Sequence, residues 1–169
     1  MTDAAALYAQ SEIVLKVRSP EASELAMMRK NVVLLGLLSP HHKEGIDALA
    51  QHGVTAFAME KLPRISRAQN MDVLSSQANI AGYKAGIMAA NVYQRFFPML
   101  MTAAGTVKAA RVLILGAGVA GLQAIATAKR LGAIVEANDV RPAVKEQVES
   151  LGAKYIEVQM TDEEKKGAE

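Results

Sequence analysis

The most constraining feature of this sequence is a glycine turn placed between a buried strand and a helix. An aliphatic run at residues 112–115 leads directly into Gly116-Ala117-Gly118-Val119-Ala120-Gly121. The pattern that follows predicts a helix over 119–131 and a second strand over 133–138. A strand, a helix and a strand with short connections predict a right-handed crossover in a parallel sheet.

The glycine spacing is G-x-G-x-x-G, and each glycine has a separate chemical reason. Gly116 permits the tight turn, Gly118 lets the backbone approach a pyrophosphate, and Gly121 lets the helix pack closely on the strand. The free N–H groups near Val119 and Ala120, together with the helix dipole, favour an anion. The turn therefore predicts dinucleotide binding, and a glycine turn kept only for packing is the alternative.

An acidic residue follows at the end of the second strand. Asp139 lies eighteen residues after Gly121, where a carboxylate accepts hydrogen bonds from the adenosine ribose. It would also repel a 2′-phosphate, so Asp139 predicts NAD(H) rather than NADP(H) as the cofactor. Val140 and Arg141 complete this binding segment. Arg141 is the one contrary signal, because a nearby arginine can accommodate a 2′-phosphate.

Strands and helices also alternate elsewhere in the chain, which predicts a second parallel sheet. Further strands are predicted over 13–17, 32–38, 54–59 and 155–158, and further helices over 24–30, 42–51, 76–97 and 142–150. We predict an α/β fold with two Rossmann-like parallel-sheet units, both incomplete in this chain and joined by a long helix. The chain is thus expected to be an internal piece of a longer polypeptide. Its charged tail, 161–169, is expected to be frayed.

These patterns predict three segments. Residues 1–75 hold the first parallel-sheet unit, interpreted as the late part of a Rossmann-like domain because its first strand enters as if earlier strands were missing, and end in a polar loop that is a candidate active-site loop. Residues 76–98 form a connecting helix, in which Gly82 and Gly86 leave one face nearly bare and predict a close contact between domains or subunits. Residues 99–169 form the first half of an NAD(H)-binding domain.

The loop at 60–75 has no clean period of two or 3.6 residues and is rich in polar side chains. Loops of this length in compact α/β units are often functional. Gln69 can donate and accept hydrogen bonds together, which suits a carboxamide, and Asp72 could hold ribose hydroxyls. The alternative is that Arg64 and Asp72 are ordinary solvated charges.

Composition excludes several other functions. Lys and Arg number 19 against 17 Asp and Glu, a net charge of +2, which is too balanced for a nucleic-acid binder. The absence of cysteine excludes disulfides, thiolate metal sites and a cysteine nucleophile. The three histidines lack partners at ligand spacing, so we expect them at the surface and expect no metal. The uncharged run at 112–128 is shorter than a spanning helix.

Several motifs together resemble one enzyme family. They are the segments 101–107, 111–130 and 139–141, and most specifically 60–83, E-K-L-P-R-I-S-R-A-Q-N-M-D-V-L-S-S-Q-A-N-I-A-G-Y. These segments resemble domain I, the NAD(H)-binding α-subunit component, of proton-translocating nicotinamide nucleotide transhydrogenase. The resemblance extends over about residues 11–158.

The resemblance implies a function and a set of partners. NADH would be bound here, and its hydride would pass to NADP+ on a separate NADP(H)-binding component, coupled to proton translocation. A homodimer, a membrane domain and a location on the cytoplasmic side of the inner (cell) membrane are implied. This stretch alone is implied to be inactive.

The resemblance also implies roles for particular residues. Arg64 would help to hold the dihydronicotinamide and organise the loop, and Gln69 would bridge to the second nucleotide. Asp72 and Ser75 would contact the nicotinamide ribose and carboxamide, and Tyr83 matches a tyrosine of the same site.

Two alternatives remain open. Alanine dehydrogenases share this fold and use a lysine, matched by Lys16, and a histidine on the following strand, where this chain has Leu37. Leucine cannot supply the acid/base group that amino-acid deamination needs. A nucleotide-binding module without chemistry of its own is the second alternative, and the dense polar loop argues against it.

Overall fold

The structure is a computed structural model, and it describes residues 3–158. The charged tail at 161–169 lies outside the described residues. The chain divides into two compact units, Met1–Leu74 and Ser75–Glu169. Each unit has its own hydrophobic core and is described by itself.

The first unit is built on a parallel sheet of three strands in the order β1-β2-β3. Its elements are α1 (Ala4–Gln10), β1 (Ile13–Arg18), α2 (Ala22–Met27), β2 (Val33–Leu37), α3 (Lys43–His52) and β3 (Thr55–Ala58). Two short 3₁₀ helices, Met59–Lys61 and Ser66–Met71, then form the segment predicted as a polar loop. The pairing of β1 with β2 and of β2 with β3 confirms the predicted parallel sheet.

The core of the first unit lies on one side of this sheet. Leu34 and Leu38 are fully buried there, with Val14 from β1 and Leu49 from α3. The opposite side of β1 is open, because Leu15 keeps 76% of its surface exposed.

The second unit contains another parallel three-stranded sheet, in the order β6-β7-β8. Helix α4 (Val73–Val92) starts with the last two residues of the first unit. It is followed by β4 (Leu100–Thr102), β5 (Gly105–Val107), β6 (Arg111–Leu115), α5 (Val119–Arg130), β7 (Ile134–Asn138), α6 (Lys145–Ser150) and β8 (Lys154–Tyr155). Strand, glycine turn, helix and strand occur in the predicted order, so the α/β prediction is confirmed.

Three local predictions were wrong or incomplete. Helix α4 starts three residues earlier than predicted and ends at Val92 rather than near residue 97, because Gln94 takes a left-handed backbone with φ +55°. Strands β4 and β5 form an antiparallel hairpin that was not predicted, since each strand is only three residues long. Helix α1 was also not predicted, although Asp3 caps its N-terminus.

Within the described residues, no helix has both the length and the apolar character needed to cross a membrane.

Candidate functional site

The glycine turn has the geometry that its sequence predicts. Gly116 has φ +93°, a left-handed conformation that strains any other residue. At Gly121 a Cβ would lie 1.8 Å from the carbonyl oxygen of Gly116, so the turn leaves no room for a side chain there. These two glycines are required by the fold itself.

Gly118 differs from the other two glycines of the turn. Its φ is −76°, and the nearest neighbour of a Cβ would be the Nη2 atom of Arg141 at 3.9 Å. The protein's own packing therefore does not require glycine at 118. A group brought close to the backbone from outside, such as a pyrophosphate, would require it.

The start of α5 is open to an anion. Gly118 is the N-cap residue, and no side chain caps the helix. The first N–H groups of an α-helix, here those of Val119 and Ala120, lack intrahelical partners. The helix dipole adds positive potential at the same place. The residues of the turn thus fit the diphosphate of a dinucleotide.

The carboxylate of Asp139 is bound to the glycine turn. Its Oδ2 atom accepts a hydrogen bond from the backbone N–H of Ala117 at 2.7 Å. Its Oδ1 atom accepts one from the backbone N–H of Arg141 at 2.8 Å. Only 5% of the Asp139 side chain is exposed, so this carboxylate is structural as well as a candidate ribose ligand.

Arg141 forms a bidentate ion pair with the same carboxylate. Its Nε atom donates to Oδ1 at 3.0 Å and its Nη2 atom to Oδ2 at 3.1 Å. The hydrogen bonds from the Arg141 side chain lower the pKa of Asp139 most, burial of the carboxyl group opposes them, and the N–H groups of Arg141 and Ala117 add to the lowering. Together these donors hold the pKa of Asp139 well below its usual range, so Asp139 is ionised at neutral pH.

Tyr155 contributes to the site in a way that was not predicted from the sequence. Its hydroxyl donates a 2.7 Å hydrogen bond to the backbone carbonyl of Asp139. Because Tyr155 lies sixteen residues further along the chain, only the pairing of β8 with β7 brings the two together. Val140, the residue between the ion-paired side chains, is 51% exposed.

A second candidate site is a cavity of about 310 Å³ in the first unit. It is lined by Arg64, Gln69 and Asp72, three of the predicted catalytic residues. The other lining residues are Met59, Glu60, Leu62, Pro63, Ile65, Ser66, Ala68 and Leu74. The cavity thus brings a cation, an amide and a carboxylate together beside apolar residues.

Glu60 ties the start of the cavity segment to the end of β2. Its carboxylate accepts hydrogen bonds from the backbone N–H groups of Leu38, at 3.1 Å, and Ser39, at 2.6 Å. Burial of the carboxyl group raises the pKa of Glu60. The hydrogen bonds from its own backbone N–H and from those of Ser39 and Leu38 outweigh burial, so the pKa lies below its ordinary value. Ser39 has φ +50°, so Glu60 stabilises a strained corner. Glu60 was not predicted as a site residue, because it acts across more than twenty residues.

The other two predicted nicotinamide-site residues belong to the second unit. Ser75 is partly buried in the first turn of α4. Tyr83 lies further along the same helix and is 53% exposed.

The glycines of α4 pack closely against α5. A Cβ on Gly82 would lie 2.1 Å from the carbonyl oxygen of Ala120, and one on Gly86 would lie 2.9 Å from Cγ2 of Thr127. The predicted close contact is confirmed, but it joins two helices of the second unit, which is a correction to the expectation of a domain or subunit boundary. Ala120 lies in the first turn of α5, so α4 supports the glycine turn.

Lys16 is enclosed in a polar cluster of the first unit. Its Nζ atom lies 2.5 Å from Oε1 of Glu24 and 3.4 Å from the hydroxyl of Tyr8, which also donates to Glu24. The hydrogen bond to Glu24 outweighs burial and raises the pKa of Lys16. The amine is therefore protonated and bound to Glu24.

Two of the three histidines, His42 and His52, contact the backbone. Nδ1 of His42 accepts a hydrogen bond from the N–H of Gly45 at the start of α3. A ring nitrogen of His52 lies 2.9 Å from the carbonyl oxygen of Met28. Between residues 3 and 158, no group of three or more His, Cys, Asp or Glu side chains could hold a metal ion.

Comparison with known proteins relates both units to one family. The family description "Alanine dehydrogenase/PNT, N-terminal domain" matches residues 1–81, and "Alanine dehydrogenase/PNT, C-terminal domain" matches residues 85–168. The two matches meet within α4.

Individual relatives agree with this result. The chain is 55% identical to an NAD(P) transhydrogenase subunit alpha of Rhodospirillum rubrum, over 98% of this chain and 44% of that protein. A crystal structure of transhydrogenase from Sinorhizobium meliloti is similar over 96% of this chain and 47% of its own, with 57% identity and a TM-score of 0.89. An L-alanine dehydrogenase structure matches 94% of this chain and 45% of its own, with 27% identity and a TM-score of 0.72.

The chain thus spans less than half the length of these relatives. Its identity to the transhydrogenases is about twice its identity to the alanine dehydrogenase. Both halves of the family description match in order, and together they extend over nearly the whole sequence. The chain belongs to the alanine dehydrogenase/PNT family.

Proposed function

We propose that this chain is the NAD(H)-binding part of a nicotinamide nucleotide transhydrogenase. In this role it positions NADH for direct hydride transfer to NADP+ held by a partner component. The observation that carries the proposal is the uncapped glycine turn with Asp139 bonded to the N–H of Ala117. The high identity to transhydrogenase α subunits supports it.

The nicotinamide ring supplies the hydride chemistry, so the protein's own residues bind, orient and exclude water. The turn at Gly118 and the first N–H groups of α5 would hold the diphosphate, and Asp139 would hold the adenosine ribose. For the nicotinamide half, we assign Arg64, Gln69 and Asp72 in the polar cavity, with Ser75 and Tyr83 from α4. Correct placement of two reacting carbons is itself a large part of such catalysis.

We also propose the assembly in which this hydride transfer takes place. A homodimer, an NADP(H)-binding component and a membrane domain would complete the enzyme, with hydride transfer coupled to proton translocation. The chain would then lie on the cytoplasmic side of the inner (cell) membrane. The names of the relatives, which are α subunits of transhydrogenases, support the presence of further subunits.

Leu37 weighs against amino-acid dehydrogenation. That reaction needs an acid/base group on this strand. Leucine replaces the expected histidine there and cannot exchange a proton.

The test uses the intact protein with NADH and an NADP+ analogue, with and without the NADP(H)-binding partner, while absorbance is followed. We expect NADH oxidation only when the partner is present. Oxidation that needs pyruvate and ammonia instead would make the protein an amino-acid dehydrogenase. NADH binding without either reaction would leave a binding module.

A further inference from the structure

Arg141 is positioned to choose between cofactors, but its guanidinium is engaged. Within residues 3–158, its two hydrogen bonds to a side chain, from Nε and Nη2, both go to Asp139. The side chain of Arg141 is nevertheless 54% exposed, whereas that of Asp139 is 5% exposed. The pair therefore presents its cation, not its anion, to solvent.

The guanidinium also lies beside the glycine turn. Its Nη2 atom is the nearest neighbour that a Cβ at Gly118 would meet, at 3.9 Å. Arg141 is thus next to the proposed diphosphate site and directly bonded to the proposed ribose ligand. A 2′-phosphate on that ribose would reach the same neighbourhood.

We propose that Arg141 is a latent 2′-phosphate site that Asp139 keeps closed. This inference rests on the proposed dinucleotide function. In the native protein the carboxylate neutralises the guanidinium and repels a second anion. Without the carboxylate, the planar fork of Arg141 would be free to bind a phosphate, the geometry for which arginine is suited.

The proposal explains why an arginine two residues after the acid does not signal NADP(H). Cofactor preference is a difference between two affinities, and here one carboxylate acts on both of them. The Asp139 carboxylate favours the ribose hydroxyls. It also pairs with the Arg141 guanidinium, which would otherwise bind the 2′-phosphate.

The experiment compares two ligands that differ only in the 2′-phosphate, adenosine 5′-phosphate and adenosine 2′,5′-bisphosphate. Their dissociation constants are measured by calorimetry on the intact protein, with NADH and NADPH as a second pair. The variants are Asp139→Ala, Arg141→Ala and the double variant. Because Asp139→Ala leaves the N–H of Ala117 without its acceptor, Asp139→Asn is included as a neutral variant of the same size.

We expect the wild-type protein to prefer the ligand without the 2′-phosphate. Asp139→Ala or Asp139→Asn should shift the affinity ratio toward the 2′-phosphate by about tenfold or more, as expected for a charged hydrogen bond. In the double variant most of that shift should disappear. Arg141→Ala alone should not improve binding of the 2′-phosphate ligand.

Two results would overturn the inference while leaving the proposed function intact. In one, the protein binds NADH but removal of the Asp139 carboxylate does not shift the ratio. In the other, the shift persists in full in the double variant, so that loss of repulsion alone explains it. A wild-type protein that binds none of the four ligands would overturn the proposed function as well.

Discussion

The backbone of Gly82 in α4 lies directly against the carbonyl oxygen of Ala120 in the first turn of α5. A Cβ at position 82 would approach that oxygen to 2.1 Å, and backbone cannot move aside as a flexible side chain can. The first turn of α5 carries the N–H groups proposed to bind the cofactor diphosphate. The contact between α4 and α5 therefore lies at the same turn as the proposed diphosphate site.

Gly82→Ala should destabilise the protein by about 1–3 kcal/mol through overpacking. This is expected even though alanine is intrinsically better than glycine in a helix by about 1 kcal/mol. Denaturant unfolding measures the change. Gly86→Ala is the matched control and should cost less, because its neighbour at 2.9 Å is a methyl group of Thr127. A Gly82→Ala protein as stable as the wild type would contradict the packing described here.

Gln69→Asn should slow hydride transfer much more than it weakens NADH binding. The substitution shortens the side chain by one methylene and moves the amide by about 1 Å, a displacement that can cost roughly 100-fold in rate. Transfer to NADP+ on a reconstituted partner is measured beside NADH affinity. Asn70→Ala is the control, because Asn70 does not line the cavity. An unchanged rate would remove Gln69 from the reaction, and equal losses of rate and affinity would make it a binding residue only.

Glu60→Gln should loosen the corner at Leu38 and Ser39. An amide can offer its oxygen to only one of the two N–H groups, and its own NH₂ would face the other donor. We expect a loss of about 1–3 kcal/mol in stability and faster hydrogen exchange at both amides. Ser39→Gly, which relieves the positive φ but keeps both bonds, should not have this effect. Unchanged exchange in Glu60→Gln would show that the carboxylate is dispensable.

The first unit should lose stability in acid as Glu24 becomes protonated. The hydrogen bond from Lys16, with those from the N–H of Glu21 and the hydroxyl of Tyr8, lowers the pKa of Glu24 from 4.5 to about 2. A lowered carboxyl pKa means that the stabilisation is complete above pH 4.5 and is lost as the pH falls toward about 2.

Glu24→Gln should therefore be less stable than the wild type at neutral pH and show a shallower loss of stability between pH 4.5 and 2. Urea midpoints across that range measure it. Glu44→Gln removes the same charge from the exposed start of α3 and serves as the control. Parallel pH profiles for Glu24→Gln and the wild type would exclude the ion pair as a stabilising element.

Much of the fold was predictable because its signals are local. Buried parallel strands appear as aliphatic runs, and the glycine turn has its own spacing, so β2, β6 and the start of α5 were expected. The end of α4 was not, because Gln94 adopts a positive φ without a residue type that signals it. Pro98 suggested a later end than the structure has.

The candidate sites were predictable only to a limited extent, for a related reason. Asp139 and the three glycines stand at the spacing of a known motif, so the sequence alone identifies them. Tyr155 reaches Asp139 only through the pairing of β8 with β7, and Glu60 reaches Leu38 across 22 residues, so neither contact has a sequence signal. Arg141 was expected as part of the binding segment, and its ion pair with Asp139 has no signal in the sequence. The bond from Ala117 to that carboxylate has no sequence signal beyond the motif itself.

The open space beside Gly118 means that this glycine can be replaced more easily than Gly116 or Gly121. Gly116 and Gly121 are fixed by conformation and by contact, so any population that must fold will retain them. Alanine at 118 meets neither obstacle, since φ is ordinary and its Cβ has room. Gly118 is therefore free to vary wherever no ligand approaches the turn. Its presence or absence among relatives would report on ligand binding, whereas that of Gly116 and Gly121 would report on the fold.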